Sequence, residues 1–389
     1  MRRLKAEVGP LVTVFTPAYN HAHYLDEYFG GLLAQTYTNV ELIIFDDGST
    51  DGTWAKIKEY EPRVRQKFTD VILERHQNIG PERETLMAFG RARGELICQL
   101  ESDDYYLPPK LERNVAYLDA HPDVGVVHSD ADWIFGDRIE HAHWRRTGRS
   151  IPTGEVCEAL LFDNFVLLCS SLCRTQLVRE YVDFERYMAR GYAAPDYAMC
   201  VDLARGTRFG YIDESLVRYR VAGGSYSHPQ DPERLYAFQR SIYAMKHDFV
   251  RENPVSSQAR ELVELQYHAY LYRGGFRACQ AGDSEQGYAW LRARYPEEHR
   301  GVTHRVRRAV LRRPRVCRAV QRARRVGIRA VARATGRSPA VLESARANLA
   351  ALTAGESASK RRRAMLGRSR RFVARRQGSS LAGPGKAQK

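Results

Sequence analysis

The chain has 389 residues with 61 Lys and Arg against 46 Asp and Glu, a net charge of +15, so it exceeds one average domain and invites a polyanionic partner. The basicity is local: residues 301–389 hold 25 Lys and Arg against 2 acids, which leaves residues 1–300 mildly acidic at −8. Seven scattered cysteines without paired spacing, no apolar run before Pro10 and no stretch of about 18 apolar residues exclude a disulfide scaffold, a secretory signal and a bilayer span, and set the expectation of a cytoplasmic protein or one lying on a membrane surface.

Leu11 to Phe15 read as a β-branched apolar strand, closed by the turn Thr16-Pro17-Ala18-Tyr19-Asn20. Tyr24, Leu25, Tyr28, Phe29, Leu32 and Leu33 then recur at helical spacing, and a strand over Val40 to Phe45 ends in Asp46-Asp47-Gly48-Ser49-Thr50-Asp51-Gly52. A helix from about Thr53 to Tyr60, a short strand at Val71 to Leu73 and a helix from about Glu82 to Ala92 follow. They precede Leu96 to Asp104, an apolar strand carrying Glu101, Asp103 and Asp104 in its last four positions.

Alternating strand and helix is the signature of a parallel sheet flanked by helices, and in such a sheet Asp46-Asp47 and Asp103-Asp104 reach the same edge. Three carboxylates that close repel unless a cation sits between them; a hard divalent ion with oxygen ligands is the simplest candidate, a solvated acidic turn the bland alternative. The first strand-to-helix turn lacks a glycine-rich phosphate fingerprint and no Walker-type loop occurs, so a bound nucleotide's phosphates would be held mainly by metal.

These residues resemble the inverting glycosyltransferases of family 2, over about residues 11 to 228. The anchors are Val14 to Asn20, Ile44 to Thr53, Asn78-Ile79-Gly80, Ala92-Arg93-Gly94-Glu95, and Leu100-Glu101-Ser102-Asp103-Asp104 with Pro108-Pro109-Lys110-Leu111. The resemblance implies an α/β, GT-A fold: Rossmann-like, with a mostly parallel central sheet flanked by helices, and here a C-terminal α-helical extension. It implies a metal-dependent, inverting transfer of a sugar from a UDP-, GDP- or dTDP-linked donor to a hydroxyl of a glycan, lipid-linked or small-molecule acceptor, with Mn²⁺ or Mg²⁺ as cofactor. Thr16, Pro17, Tyr19, Asp46, Asp47, Asn78, Gly80, Arg83, Ser102 and Arg220 match donor-binding positions; Asp103, with Glu101 and Asp104, matches the metal carboxylates. Glu101 stands where the family has aspartate, and Thr85 where it often has arginine, with Arg83 as the substitute.

Farther on, Leu111 to Leu118 reads as a helix and Val124 to His128 as a strand leading into a solvated turn, Ser129-Asp130-Ala131-Asp132. His141 and His143 fall in a polar loop and are expected to be exposed, as opposed to joining His128 in a metal cluster. Tyr192 to Leu203 resembles the family's helix that opens with an acidic pair; Pro195 replaces the first acid, and Asp196 keeps the second as the implied general base, with a helix cap as its alternative role. Tyr211 to Arg220 resembles the closing strand, with Ala222 in place of the usual histidine and Gly223-Gly224-Ser225 as a loop suited to closing over the donor.

Three regions are expected: residues 1–228, a nucleotide-sugar transferase domain; 229–300, helices that pack on it or form a homodimer face; and 301–389, an Arg-rich tail. Residues 302–337 interleave Val306, Val310, Val316, Val320, Val326, Ile328 and Val331 with arginines, a pattern suited to an anionic membrane surface ahead of nucleic acid. Ser357 to Lys389 is too poor in apolar residues to build a core. The competing reading is a degenerate GT-A scaffold that grips membrane or nucleic acid through this tail.

Overall fold

A computed structural model describes residues 9–221, 231–264 and 266–267. The loop of Ala222 to Ser225 and the whole region from 268 onward, with the arginine-rich tail, lie outside the described residues. In chain order the elements are β1 (Val12–Ala18), α1 (Leu25–Leu33), β2 (Val40–Asp46), α2 (Thr53–Lys67), β3 (Asp70–Arg75), α3 (Pro81–Arg91), β4 (Leu96–Gln99), β5 (Tyr105–Tyr106) and α4 (Lys110–Ala120). There follow β6 (Val124–Phe135), β7 (Arg138–Glu140), α5 (His143–Arg146), α6 (Cys157–Phe162), a 3-10 turn at Leu168–Ser170, β8 (Leu172–Arg174), α7 (Thr175–Tyr181), α8 (Phe184–Ala189), α9 (Pro195–Gly206), β9 (Arg208–Arg220) and α10 (Pro232–Glu252).

The strands form one mixed sheet in the order β3-β2-β1-β4-β8-β6-β9-β5, with β7 on β6. The first four strands run parallel, as the strand and helix alternation predicts. Beyond β4 the sheet departs from that regularity: β8 is antiparallel to both β4 and β6, β6 and β9 run parallel, and β5 is antiparallel to β9. Every residue of β2, Val-Glu-Leu-Ile-Ile-Phe-Asp, is buried, because helices cover both faces of the parallel half and a strand there needs apolar side chains on each side.

Three expected boundaries move. The first strand does not stop at Phe15 but runs through Thr16 and Pro17 to Ala18, paired residue for residue with β2. The helix expected to end at Tyr60 continues through Pro62 to Lys67, held by pairs of Glu61 with Lys58 and Arg65 and by burial of Ile57 and Val64. The stretch Ser129 to Asp132 is no solvated turn but the middle of the 12-residue β6. Asp130 is buried and accepts the backbone N–H groups of Trp144 and Arg145 at 3.0 and 3.1 Å, while Asp132 pairs with Arg218 at 3.0 Å.

The histidines follow the same logic. His141 is exposed, as expected, but the His143 ring stacks on Trp133 at 3.8 Å and is largely covered, and His128 is fully buried, far from forming a cluster with them.

The apolar side chains gather on the two faces of the sheet. One core joins α1, α2 and α4 to the strands; the other joins α6 to α9 with Met245, Phe249 and Val250 of α10. Gly31 in α1 allows that helix to approach β5 directly, since a Cβ there would lie 2.6 Å from the carbonyl oxygen and 3.0 Å from the nitrogen of Tyr106. Both contacts are backbone and cannot swing aside. Gly31→Ala is expected to destabilise the protein by about 1–3 kcal/mol, read as a lower denaturant midpoint with an unchanged slope.

Candidate active site

The C-terminal ends of β1, β2 and β4 are tied together by their own loops. Asn20, at φ 54°, donates its N–H to Ser49 Oγ at 2.9 Å and accepts the N–H of Thr50 at 2.8 Å. The His21 N–H donates to Thr53 Oγ1 at 2.8 Å, and its Nδ1 lies 2.7 Å from Ser102 Oγ. Burial lowers the His21 pKa, against the pull of Asp103, so the ring is neutral at neutral pH and shares one hydrogen with Ser102.

The two aspartates that end β2 do different work. Asp46 is buried, lies 3.0 Å from Arg75 Nε and accepts the Ser49 N–H at 3.3 Å. Asp47 accepts the N–H groups of Ile79 at 2.6 Å and Gly80 at 2.9 Å, so its carboxylate holds the Asn78-Ile79-Gly80 loop. Gly48 permits that approach: its φ is +75° and a Cβ would meet Asn78 N at 3.0 Å. Neither aspartate caps α2; that task falls to Asp51, which accepts the Thr53 N–H at 2.9 Å. Beneath them lies Glu84, fully buried with both oxygens unpartnered. Burial, and then the charges of Asp47 and Asp46, push its pKa to about 9, so it stays neutral.

A cavity of about 510 Å³ opens beside these ends, within the size range of small-molecule sites. Of the residues expected from the sequence, Pro17, Glu101, Asp103, Asp104, Asp196 and Arg220 line it together. Others sit around it. Thr16 is buried with its hydroxyl 2.6 Å from Tyr28 Oη, Tyr19 is 47% exposed, and Asn78 and Arg83 are exposed. Thr85, where a donor-binding arginine was missing, does line the cavity and donates its hydroxyl to Pro81 O at 2.8 Å.

The acidic group is tightly arranged. Glu101 Oε1 accepts from Gln99 Nε2 at 2.9 Å. Burial, with the charges of Asp103 and Asp196 added, pushes its pKa up to about 7. Asp104 is buried and accepts the Arg220 N–H at 2.7 Å; burial and the neighbouring Asp103 and Glu101 hold its carboxyl well above the usual range. Arg220 also donates from Nε to the Asp103 carbonyl at 3.0 Å and from its guanidinium to Glu27 at 2.6 Å.

Glu101, Asp104 and Cys169 bring one ligand atom each within 4.8 Å of one another. The two carboxylates suit a hard divalent cation, whereas burial and the charges of Asp104 and Glu101 raise the Cys169 pKa well above its ordinary value and keep the sulfur a thiol. Cys169 was not singled out from the sequence. It is delivered by the 3-10 turn before β8, an antiparallel insertion that no local pattern announces.

Asp196 also lines the cavity, in the first turn of α9 behind the N-cap Ala194 and Pro195. It is therefore not the N-cap. Its side chain reaches solvent in the mouth of the cavity, yet the crowding of protein around it raises its pKa, offset in part by the Tyr197 N–H. That Asp196 contributes to the shift of Glu101 places the two carboxylates within electrostatic reach.

The chain is similar to known proteins. Residues 13–166 match the family model described as glycosyl transferase family 2. The chain is 26% identical over 238 residues to an uncharacterized glycosyltransferase of Haemophilus influenzae, covering 57% of this chain and 70% of that one. It is 35% identical over 216 residues to an uncharacterized protein of Mycobacterium bovis, covering 54% of this chain and 58% of that one. Among solved structures, a mannosyltransferase from Pyrobaculum calidifontis in complex with GDP-Man and Mn²⁺ superimposes with a TM-score of 0.51 at 17% identity, over 80% of this chain and 87% of that one. The fold is thus of the GT-A kind, and among the described residues no helix is long and apolar enough to cross a membrane.

Proposed function

We propose, from the premise that residues 13–166 are a glycosyl transferase family 2 domain, that the protein transfers a sugar with inversion from a nucleoside-diphosphate donor to an acceptor hydroxyl. The observation that carries this reading is one cavity lined both by Asp196 of α9 and by Glu101, Asp103 and Asp104 at the β4 end, with Asp196 within electrostatic reach of Glu101. In this reading the donor's diphosphate lies against the β4 end, with Arg220 and the backbone amides of the neighbouring turn beside it. Glu101, Asp103 and Asp104 would hold a divalent ion, Mn²⁺ or Mg²⁺, which when bound supplies Lewis-acid stabilisation of the departing diphosphate.

Asp196 takes the proton of the attacking hydroxyl. Burial raises its pKa, which makes it a stronger base than an ordinary aspartate, the direction that general-base catalysis needs. An acid on the far side of the anomeric carbon from the leaving group gives in-line displacement and inversion. The test is a panel of UDP-, GDP- and dTDP-linked sugars assayed for acceptor-dependent release of the nucleoside diphosphate with Mn²⁺ or Mg²⁺; no release from any donor, and no nucleotide binding by thermal shift, sinks it.

A pH dependence follows from Glu101. Its folded pKa is raised to about 7, and a metal must displace the proton that it carries below that value. Metal-dependent affinity for a nucleoside diphosphate is therefore expected to rise as pH climbs from 5.5 through about 7 and to level off above, measured by calorimetry at fixed Mn²⁺. Titration of Glu101 alone has the opposite sign for the unliganded fold. A raised carboxyl stabilises the folded state at low pH, and that contribution is lost as pH passes through about 7.

A further inference from the structure

The cavity has two chemically different parts. Its charged groups come from the ends of β4 and β9, with Glu101, Asp103, Asp104 and Arg220, and from the first turn of α3, with Glu82. From residue 164 to 197, and again in α10, the lining turns apolar, with Val166, Leu167, Leu168, Phe184, Phe238 and Ile242. The polar side chains in that stretch are Asn164, Cys169 and Asp196; the Tyr197 hydroxyl is engaged in donating to the Leu160 carbonyl. A free sugar presents hydroxyls all round and would leave most of them unpaired against such a wall.

The apolar wall is also held in place. Three α10 residues below Phe238 and Ile242, namely Met245, Phe249 and Val250, are buried in the same core as Tyr197, Ala198 and Val201 of α9. Asp248 accepts from Tyr192 Oη at 2.9 Å, and Ser241 accepts the Ala193 N–H at 2.7 Å, which fixes α10 against the segment that carries Asp196. A preformed apolar wall beside the base selects ligands without an ordering cost. Most of this wall lies C-terminal to residues 13–166, outside the part of the chain that matches the family model.

We propose that the acceptor carries an aliphatic chain next to its nucleophilic hydroxyl, and that Phe238 and Ile242 select that chain. The inference rests on the reading of Asp196 as the base. It assigns the acceptor to a chemical class, an amphiphilic alcohol or alkyl glycoside, over a free sugar.

The test uses the full chain with UDP and Mn²⁺ present, and compares octyl β-glucoside, below its micelle concentration, with methyl β-glucoside by calorimetry and saturation-transfer NMR. Each methylene buried is worth roughly fourfold in affinity, so an octyl chain with about half its length buried should bind on the order of a hundredfold tighter. Saturation should be strongest on the chain protons. Phe238→Ala and Ile242→Thr should each cut the octyl advantage by about tenfold with little change for the methyl compound. Equal binding of the two glucosides, or an octyl advantage that survives in either variant with a parental unfolding midpoint, overturns the assignment. If Phe238→Ala does not fold, Ile242→Thr decides alone. Nucleotide binding, read separately by thermal shift, reports on the transferase reading itself; nucleotide binding kept without an octyl preference overturns the acceptor class only.

Discussion

Asp196→Asn is expected to lower the rate of sugar transfer by about 10²- to 10⁴-fold, while affinity for the nucleoside diphosphate stays within a few-fold of the parent. The amide matches the carboxylate in shape and position in the first turn of α9 but cannot take a proton from the acceptor hydroxyl. The donor contacts lie at the β4 end and do not depend on it. A second consequence distinguishes the loss of a base from a disturbed fold. The Asp196 charge is one of the influences that raise Glu101 to about 7, so its removal should shift the pH profile of metal-dependent nucleotide binding to lower pH. Steady-state kinetics and calorimetry on the same variant check both. Transfer within tenfold of the parent would remove Asp196 from the mechanism.

How far the sequence carries depends on whether a residue's partner is close by in the chain. The parallel half of the sheet was readable because β1, β2 and β4 are apolar runs, β2 and β4 exit into aspartates, and parallel strands send their exits to one edge. The antiparallel half was not. Ser129-Asp130-Ala131-Asp132 has the composition of a turn, and partners as distant as Trp144 and Arg218, 14 and 86 residues away, let both aspartates be buried in a strand. Cys169 reaches the acidic cluster through the same insertion. Phe238 and Ile242 read as an aromatic and aliphatic stripe suited to a core, and nothing in their spacing tells that part of the stripe faces a cavity. Glu84 illustrates the reverse: as the acidic residue of a first helical turn it looks like an ordinary solvated dipole partner, whereas the fold buries it against two other carboxylates.

Glu41 joins fold and site, and its loss is expected to be the most damaging to stability. Its side chain is fully buried in β2, among Val40, Leu42, Ile43, Ile44 and Phe45 of the same strand. It accepts from Thr13 Oγ1 at 2.6 Å, from the Arg93 N–H at 2.8 Å and from Arg93 Nε at 2.6 Å. Thr13 Oγ1 in turn accepts the Gly94 N–H at 3.0 Å, so one carboxylate fixes β1, β2 and the turn that aims β4 and its acidic end at the cavity. The Arg93 guanidinium is 60% exposed, and water will screen it once the partner is gone, so the cost comes chiefly from the stranded Thr13 hydroxyl and Arg93 N–H. At about 1–3 kcal/mol for each such group, Glu41→Ala should lose about 2–4 kcal/mol, and Glu41→Gln, which keeps one acceptor, about 1–2 kcal/mol. Burial pushes the Glu41 pKa up, but the hydrogen bonds from Thr13 and Arg93 outweigh it and hold the carboxyl below its ordinary value. A depressed carboxyl stabilises the fold above its unfolded-state pKa and ceases to do so as pH falls through the folded one. The stability gap between parent and Glu41→Gln, measured by urea unfolding, is therefore expected to be full at about pH 7 and to shrink at about pH 3. A gap that stays constant with pH would mean that Glu41 is held by shape alone and not by its charge.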